Sequence, residues 1–411
     1  MEMNRRAFVG TAASAAMAMS IADAASAQQP VSTTGTLRLR PGGSDHGFDP
    51  WLEIIGDAFR HNAREVARLA GGRPVLAVVK NNAYGIGDML VGPVLDQCAE
   101  VGGIACVRPA EALAMRAAGV KKTILTMAEL GEDESVELVR AGVTLSCWLD
   151  DAPERLQRIS QKAARRVPVH LYLDTGMNRE GMPIRRALPW MQQIAKQPGV
   201  RIDGTYHMFV HDMEFDRVQL TRFTGILAEA AAAGYKAGLV HAAPTFELYR
   251  LPESHFDMVR VGNALFGAYP GADVTQPVDL KPVFRLRARV ARLEEVEPGE
   301  SAGFRRGFRP TERTRVALVP IGHTDGYPIS GAGKCEVLIG DRLFPVVSGG
   351  IASAHTLVDV GLEAPVKVGD MVTLIGPDRP AILPLEVAAR TEVGFLQLIT
   401  KMSALLPRRL V

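Results

Sequence analysis

Residues 75–87 read VLAVVKNNAYGIG, an apolar run of β-forming residues followed directly by Lys80 and a glycine-containing turn. Short apolar runs bounded by turn residues are typical of buried strands. In repeated βα proteins functional groups lie where strands end, so Lys80 is a candidate catalytic residue. An isolated lysine at a strand end is more often a surface residue, and the rest of the chain has to decide between these interpretations.

Short β-rich runs alternate with helical stretches, such as Pro109–Ala118, between about residues 45 and 265. The runs are residues 75–79, 103–107, 123–126, 144–148, 169–173, 202–206, 238–242 and 258–261. This alternation predicts an α/β fold, a closed (β/α)8 barrel of the TIM type. The pattern then changes to β runs separated by turns, at residues 285–293, 315–321, 334–339 and 371–375. A C-terminal, mostly-β domain is therefore expected to follow the barrel.

The composition is that of a globular protein with two domains, since 47% of the 411 residues are hydrophobic and 22% are charged. Lys and Arg number 47 against 45 Asp and Glu, and the net charge of +2 is scattered, so no nucleic acid or anionic membrane is predicted as a partner. The cysteines, Cys98, Cys106, Cys147 and Cys335, lack a metal-binding spacing. We expect buried free thiols and no metal site, although an oxidising compartment would permit a disulfide.

The first 27 residues differ from the rest, with Arg5 and Arg6 ahead of an Ala/Met/Gly-rich stretch that ends in ASA at 25–27. This pattern predicts a signal peptide cleaved after Ala27, and the paired arginines favour twin-arginine export to the periplasm. An uncleaved anchor is disfavoured because the stretch contains Asp23 and is shorter than the ~20 apolar residues that span a membrane. The predicted organisation is a signal peptide (1–27), a linker (28–44), the barrel (45–270) and the β domain (271–411).

The string AVVKNNAYGIG at 77–87 closely resembles the cofactor-lysine motif of alanine racemases. Further segments resemble the same family in the same order: DTGMNR at 174–179, MVRVG at 258–262 with LFG at 265–267, VEPGES at 296–301, VPIG at 319–322 with DG at 325–326, and VKVGD at 366–370. The resemblance runs from about residue 50 to the last residue. It implies an enzyme that binds pyridoxal 5′-phosphate, acts on free amino acids and works as a homodimer.

The resemblance also implies catalytic roles. Lys80 matches the lysine that holds the cofactor as a Schiff base and then serves as the base on one face of the substrate α-carbon. Arg179 matches the arginine that orients the substrate and the catalytic phenol. A solvated loop arginine remains the alternative for that position.

The cofactor-binding positions can be matched in the same way. Tyr84 lies where the family places a tyrosine near the cofactor, and Arg260 matches the arginine that faces the pyridine nitrogen. A guanidinium stays charged and cannot accept a hydrogen, so that nitrogen would remain unprotonated. Thr245 stands where the family has a serine on the phosphate, and Gly262 and Asn263 would offer backbone N–H groups to the same oxyanion.

The family supplies its second proton-transfer group as a tyrosine in the string Gly-Tyr-x-Asp-Gly of the β domain. Here residues 322–327 read GHTDGY, so the tyrosine position holds His323. A histidine can act as acid or base, and its reference pKa of about 6.5 lies nearer to working pH than that of a phenol. We expect His323 of the partner subunit to keep the role. The alternatives are that Tyr327 takes it over or that the site performs another reaction.

Other family positions also differ, which predicts a reshaped substrate pocket. They are Met208, beside His207, in place of a histidine; Tyr172 in place of a modified lysine; Leu410 in place of a tyrosine; and GIASAH at 350–355 in place of a Cys-Met-Asp segment. The small residues Ala352, Ser353 and Ala354 would leave room for a larger substrate side chain than that of alanine.

We therefore predict an exported amino-acid racemase of altered or broad specificity. One alternative is a lyase or aldolase acting on a β-hydroxy amino acid with the same cofactor, for which His323 and Asp325 have the spacing of a metal-binding pair. The other is a cofactor-binding relic without turnover, against which the joint presence of Lys80, Arg179 and Arg260 argues.

Overall fold

The computed structural model describes residues 49–271 and 278–411. The predicted signal peptide and linker lie outside the described residues and remain predictions. The described residues belong to one compact unit. Within the described ranges, no helix combines the length and the hydropathy needed to cross a membrane.

The strands of the first part of the chain are short, and most of those that build the barrel are buried. They are β1 (Trp51–Ile54), β2 (Val75–Val78), β3 (Val101–Cys106), β4 (Thr123–Thr126), β5 (Thr144–Cys147), β6 (Val167–Asp174), β7 (Met182–Pro183), β8 (Val200–Tyr206), β9 (Leu239–His241) and β10 (Val259–Val261). Strand β2 is buried at every position, as expected for a parallel strand covered on both faces.

Helices connect these strands. They are α1 (Gly56–Leu69), α2 (Lys80–Tyr84), α3 (Asp88–Asp96), α4 (Pro109–Ala117), α5 (Glu132–Arg140), α6 (Ala152–Ala163), α7 (Ile184–Ala195), α8 (Met213–Ala232) and α9 (Thr245–Arg250). Helix α1 shows the general pattern, because its apolar residues recur at three- and four-residue intervals and bury one face. Asp57 lies in its first turn and Arg68 in its last, where each charge is favourable to the helix dipole.

In the described ranges, parallel strands run in the order β10-β2-β3-β4-β5-β6-β8-β9. A parallel bridge between His241 and Met258 brings the two ends of this sheet together. The result is a nearly closed eight-stranded barrel, which confirms the fold predicted from the eight apolar runs. The carboxyl ends of the strands gather at one end of the barrel, where residues that follow different strands meet.

The rest of the chain forms a mostly-β domain, as predicted. Its elements are β11 (Phe284–Arg289), β12 (Arg292–Val296), β13 (Thr314–Val319), β14 (Glu336–Ile339), β15 (Arg342–Ile351), β16 (Thr356–Asp359), β17 (Met371–Ile375), α10 (Pro384–Thr391), α11 (Phe395–Thr400) and β18 (Arg408–Leu410). The sheet order is β12-β13-β16-β15-β14-β17-β11-β1-β18. Strand β1 therefore pairs with β11 and β18 rather than with the barrel strands.

The run at 285–293, which the sequence predicts as one strand, is divided in the structure. Val290 donates its backbone N–H to the Asp370 carbonyl, and Ala291 donates to the Leu318 carbonyl, so the chain changes neighbours between β11 and β12.

The four cysteines are buried free thiols, and burial raises the pKa of each thiol. Among the described residues, no group of three or more His, Cys, Asp or Glu is arranged to hold a metal ion.

Candidate active site

A cavity of about 380 Å³ lies where the barrel strands end, and its volume is in the range of pockets that hold small molecules. Its lining comes from the ends of several strands and from the loops that follow them. The residues are Val78, Lys80, Tyr84, Val107, Met127, Tyr172, Arg179, Glu180, Tyr206, Met208, His211, Pro244, Thr245, Phe246, Arg260, Gly262, Asn263, Tyr269, Pro270 and Leu396. All the site residues predicted in the barrel therefore meet in one cavity.

Lys80 follows β2 and begins a turn with left-handed backbone conformation. The φ angles of Asn81, Asn82, Ala83 and Tyr84 lie between 49° and 56°. Asparagine tolerates this region, but alanine and tyrosine lose roughly 1–2 kcal/mol per residue in it. The turn, which the sequence patterns did not reveal, must therefore be held by contacts from elsewhere in the chain.

Contacts with three other segments hold the turn, two through side chains and one through a backbone N–H. The Glu111 carboxylate accepts a hydrogen bond from the backbone N–H of Asn82 at 2.9 Å, and the Asn82 side chain accepts one from Asp88 N–H at 3.0 Å. Arg408 of β18 donates to the carbonyls of Gly85 and Ile86 at 2.8 and 2.9 Å. These bonds keep the strained turn, and with it Lys80, in one position.

The electrostatic environment of Lys80 favours a neutral amine. Burial lowers the pKa of its ammonium group, and the positive charges of Arg179 and Arg260 lower it further. A lysine amine must be unprotonated to attack a carbonyl carbon. The cavity therefore prepares Lys80 for covalent bonding to an aldehyde.

One end of the cavity has the features of an oxyanion site. A side-chain carbon at Gly262 would overlap the hydroxyl of Tyr84, so the backbone approaches this phenol closely. Thr245 accepts a hydrogen bond from the backbone N–H of Ala264 at 3.2 Å and is itself buried. The Thr245 hydroxyl, the Tyr84 phenol and the backbone at Gly262 thus line the same cavity, as a phosphate site requires.

Arg260 extends from β10 into a buried network. Its Nη1 donates to Nδ1 of His241 at 3.0 Å, and its Nη2 donates to the His207 carbonyl at 2.9 Å. Nε2 of His241 lies 2.8 Å from Nδ1 of His170. Burial lowers the pKa of His170 to about 4 and that of His241 well below its usual value, so both rings are neutral.

Because arginine can only donate, Nδ1 of His241 must accept, and its Nε2 then donates to His170. The contacts thus determine one tautomer of each ring. They also engage both terminal nitrogens of the Arg260 guanidinium. The guanidinium carbon lies 4.8 Å from the centre of the Tyr206 ring, which holds the side chain from a second direction.

Arg179 lies at the cavity mouth on the loop that follows β6. The carboxylate of Asp174 accepts hydrogen bonds from the backbone N–H groups of Gly176, Met177 and Asn178, which orders this loop. The Arg179 side chain is 58% exposed and lies 3.4 Å from the Glu180 carboxylate. It can therefore reach a substrate that enters the cavity.

Comparison with known proteins accounts for this arrangement. Residues 54–270 match the family model for the alanine racemase N-terminal domain, and residues 283–410 match the model for the C-terminal domain. The chain belongs to the alanine racemase family. An alanine racemase from Desulforamulus reducens is 32% identical over 348 residues, which cover 82% of this chain and 92% of that protein.

Solved structures agree with the fold. Alanine racemase from Clostridium difficile 630 superimposes with a TM-score of 0.82 at 23% identity, covering 89% of this chain and 97% of that chain. A histidine racemase from Leuconostoc mesenteroides subsp. sake superimposes with a TM-score of 0.80 at 22% identity, covering 90% and 99%. As a member of the alanine racemase family, this chain is an amino-acid racemase that depends on pyridoxal 5′-phosphate.

The residues present fit that cofactor. The close approach of Gly262 to Tyr84 forms a narrow oxyanion cradle, and Lys80 carries an amine of lowered pKa in the same cavity. Lys80 would hold the aldehyde carbon, Thr245 with the backbone at Gly262 and Asn263 would hold the phosphate, and Arg260 would contact the ring.

His323 is not among the residues that line the cavity of a single subunit. It lies exposed on the loop after β13, where its backbone N–H donates to the Ala352 carbonyl at 3.0 Å. Its Nε2 lies 3.5 Å from Oγ of Ser353.

Tyr327, the sequence-based alternative to His323, is placed differently. Its side chain is fully buried, and burial raises the pKa of its phenol well above the usual value. A phenol enclosed in the β domain cannot be presented to a substrate. The structure therefore removes Tyr327 from the candidate proton-transfer groups.

Several lining residues were missed by the sequence reasoning, among them Tyr206, Glu180 and His211. Tyr206 is the last residue of β8, and its hydroxyl lies 2.8 Å from Oγ of Ser146. His211 lies farther along the loop after β8. The position of each just at or after the end of a barrel strand is the signal that could have identified it.

Proposed function

We propose that this chain is an exported, homodimeric racemase that inverts free amino acids other than, or in addition to, alanine. One observation carries the proposal: Lys80, Arg179 and Arg260 meet in one cavity, while the position of the family's second proton donor holds a histidine on an exposed loop. The retained residues argue for proton exchange at the α-carbon. The residues that differ from the family pattern, His323 among them, support a substrate pocket and a pH profile different from those of the family's usual pattern.

Lys80 would remove or return the α-proton on one face of the substrate. When bound, pyridoxal 5′-phosphate supplies the electron sink that stabilises the negative charge left at the α-carbon. Arg260 keeps a positive charge and offers no acceptor to the cofactor ring, so the ring nitrogen would stay unprotonated. This weakens the electron sink, which favours brief α-proton exchange over transamination. Arg179 would orient the substrate carboxylate.

The second proton transfer is assigned to the partner subunit's His323. Because His323 is exposed and does not reach the cavity of its own subunit, the reaction requires a dimer that brings it to the partner's cavity. There an imidazole can accept the α-proton of one enantiomer while Lys80 donates a proton to the opposite face, and in the reverse direction Lys80 removes the α-proton and the imidazole donates its replacement. The small residues Ala352, Ser353 and Ala354 beside it would leave space for substrate side chains longer than a methyl group.

The proposal is tested by α-proton exchange in D2O. Mature protein loaded with pyridoxal 5′-phosphate is incubated with L- and D-amino acids, and exchange is followed by proton NMR and inversion by chiral chromatography. We expect exchange with inversion in the unchanged protein. Lys80→Ala should lose it completely, and His323→Ala should show a strong reduction. His61→Ala, at a half-buried position on α1 that does not line the cavity, should behave as the unchanged protein.

The two other outcomes would contradict the proposal in different ways. Exchange without inversion would show that Lys80 works but that no second group serves the opposite face. Absence of exchange with every amino acid would exclude racemisation. Cleavage and elimination of β-hydroxy amino acids would then be assayed.

We also propose that residues 1–27 direct export by the twin-arginine route. That route carries folded proteins, so the cofactor could be loaded before export. Mass spectrometry of the periplasmic protein should find Gln28 at the N-terminus. Replacing Arg5 and Arg6 together by lysine should retain the protein in the cytoplasm, and unchanged export would refute this assignment.

A further inference from the structure

The loop after β8 places an imidazole in the cavity wall and supports it with two buried carboxyl groups. Nδ1 of His211 lies 2.8 Å from Oε1 of Glu247, the carboxyl group of which is fully buried on α9. Asp216 on α8 is also fully buried, and Oε2 of Glu247 and Oδ2 of Asp216 are both enclosed without another hydrogen-bond partner among the described residues. The three residues form a polar group that the proposed racemisation does not use.

The charges around His211 favour its protonated form. The hydrogen bond to Glu247 raises the pKa of the imidazole above its ordinary value, and Asp216 adds to this. Partial burial and the positive charge of Arg179 act in the opposite direction. Burial and the neighbouring Glu247 carboxylate raise the pKa of Asp216 to about 6. Glu247 is the group to which the His211 ring bonds.

The geometry leaves one ring nitrogen for a ligand. Since Nδ1 of His211 bonds to Glu247, Nε2 is the ring nitrogen that can face the cavity, and the side chain is 42% exposed there. Of the other polar lining groups, Lys80, Tyr84, Thr245, Asn263 and Arg260 are assigned to the cofactor. The hydroxyls of Tyr206 and Tyr269 bond to Ser146 and to the Val278 carbonyl. Arg179 is paired with Glu180 and is assigned to the substrate carboxylate.

We propose that His211 is a specificity residue that donates a hydrogen bond from Nε2 to the substrate side chain, favouring amino acids with a carbonyl or carboxylate oxygen at that end. The inference rests on the proposed racemase function and concerns the substrate class of the same site. The orientation of the ring by Glu247 makes the donor ready before the substrate binds, so little ordering is required on binding. Apolar neighbours such as Phe246, Met127 and Leu396 cannot supply such a donor.

Two substitutions test the role of Nε2, which faces the cavity, separately from the contact of Nδ1 with Glu247. His211 has a φ of 66°, a conformation that asparagine tolerates well. In His211→Asn the amide can still donate to Glu247 but ends short of the position of Nε2. In His211→Gln the longer side chain returns a donor at about that position. Cofactor loading, followed by absorbance, should be equal in both variants.

The test compares substrates of equal shape. Inversion of asparagine is measured against leucine, and glutamine against methionine, as ratios of kcat/KM. The unchanged protein should favour the amide of each pair. In His211→Asn the ratio should fall by about 10- to 100-fold for at least one pair, the loss expected for a hydrogen bond from a charged donor. Leucine and methionine rates should stay within about threefold, and His211→Gln should recover part of the ratio.

Each other outcome has a definite meaning. Equal losses for amide and apolar substrates would show a general structural or catalytic role and overturn the inference. A ratio that is unchanged in His211→Asn, or a preference for lysine and arginine, would overturn it as well. Inversion of amino acids with any of these results would leave the racemase proposal intact, whereas no inversion by the unchanged protein would end both.

Discussion

Arg408 donates a hydrogen bond from Nη2 to the carbonyl oxygen of Gly85 at 2.8 Å, linking β18 to the turn that begins at Lys80. A second bond, from Nε to Ile86, makes the contact bidentate. The turn has an unfavourable left-handed conformation, so its shape depends on such external bonds. The position of Lys80 is therefore partly determined by a residue more than 300 positions away in the sequence.

Replacing Arg408 by alanine should loosen this turn and weaken cofactor binding. The loss of charge-assisted hydrogen bonds to buried carbonyls is worth roughly 1.5–3 kcal/mol, or about a tenfold or larger rise in the cofactor Kd. Absorbance titration with pyridoxal 5′-phosphate measures the Kd of the cofactor. Arg409→Ala, on the same strand, is the control and should change the Kd little. Equal effects of the two substitutions would contradict the assigned role of Arg408.

A second prediction concerns the oxyanion cradle. In Gly262→Ala the new methyl group would overlap the Tyr84 hydroxyl, so either the phenol or the backbone must move. We expect weaker binding of pyridoxal 5′-phosphate and of inorganic phosphate, measured by titration. Gly225→Ala is a matched control, because a methyl group at that helix position meets no other atom within 4 Å. Unchanged phosphate binding in Gly262→Ala would place the cradle elsewhere.

The pH dependence of stability should reflect the buried histidines. Burial lowers the folded-state pKa of His170 to about 4 and those of His207 and His241 well below their usual value. The unfolded chain therefore binds more protons below about pH 6.5, so the free energy of unfolding should fall as the pH decreases from 7 to 5. Asp216, with its raised pKa, acts in the opposite direction between about 4 and 6 and offsets part of the loss.

Chemical denaturation at a series of pH values measures this slope. His170→Gln should reduce it, because one group that takes up protons on unfolding is removed. Gln193→Ala, which removes an exposed side chain without an ionisable group, should leave the slope unchanged. A free energy of unfolding that rises towards pH 5 would show that these rings are not held neutral.

A fourth prediction tests whether His323 acts in the partner's cavity. A Lys80→Ala chain, which lacks activity, and a His323→Ala chain, whose activity is strongly reduced, are mixed under conditions that exchange subunits. Half of the dimers then combine the two chains and contain one site with both residues intact, so about a quarter of the normal activity should return. The racemase activity of the mixture is compared with that of the unchanged protein. No recovery, despite mixed dimers seen by native mass spectrometry, would show that both residues act within one chain.

The barrel could be predicted because its pattern is local. Most of the eight strands are buried on both faces, so they appear in the sequence as short apolar runs, and the helices between them show three- and four-residue spacing. Lys80, Arg179 and Arg260 could be named because they follow or lie within such strands inside recognisable motifs. The mostly-β domain was predicted from its turns, but the pairing of β1 with β11 was not, since strand partners leave no local signal.

Chain length, composition and the order of the apolar runs were sufficient to determine the barrel, the second domain and the positions of the motif residues, because burial of apolar surface acts on each segment alone. Tertiary structure decided the rest. It imposed positive φ on Ala83 and Tyr84, enclosed Tyr327, and brought His211, Glu247 and Asp216 together from α8, α9 and the loop before them. Each of these depends on contacts between distant segments, which stabilise conformations and charges that the local sequence would not favour.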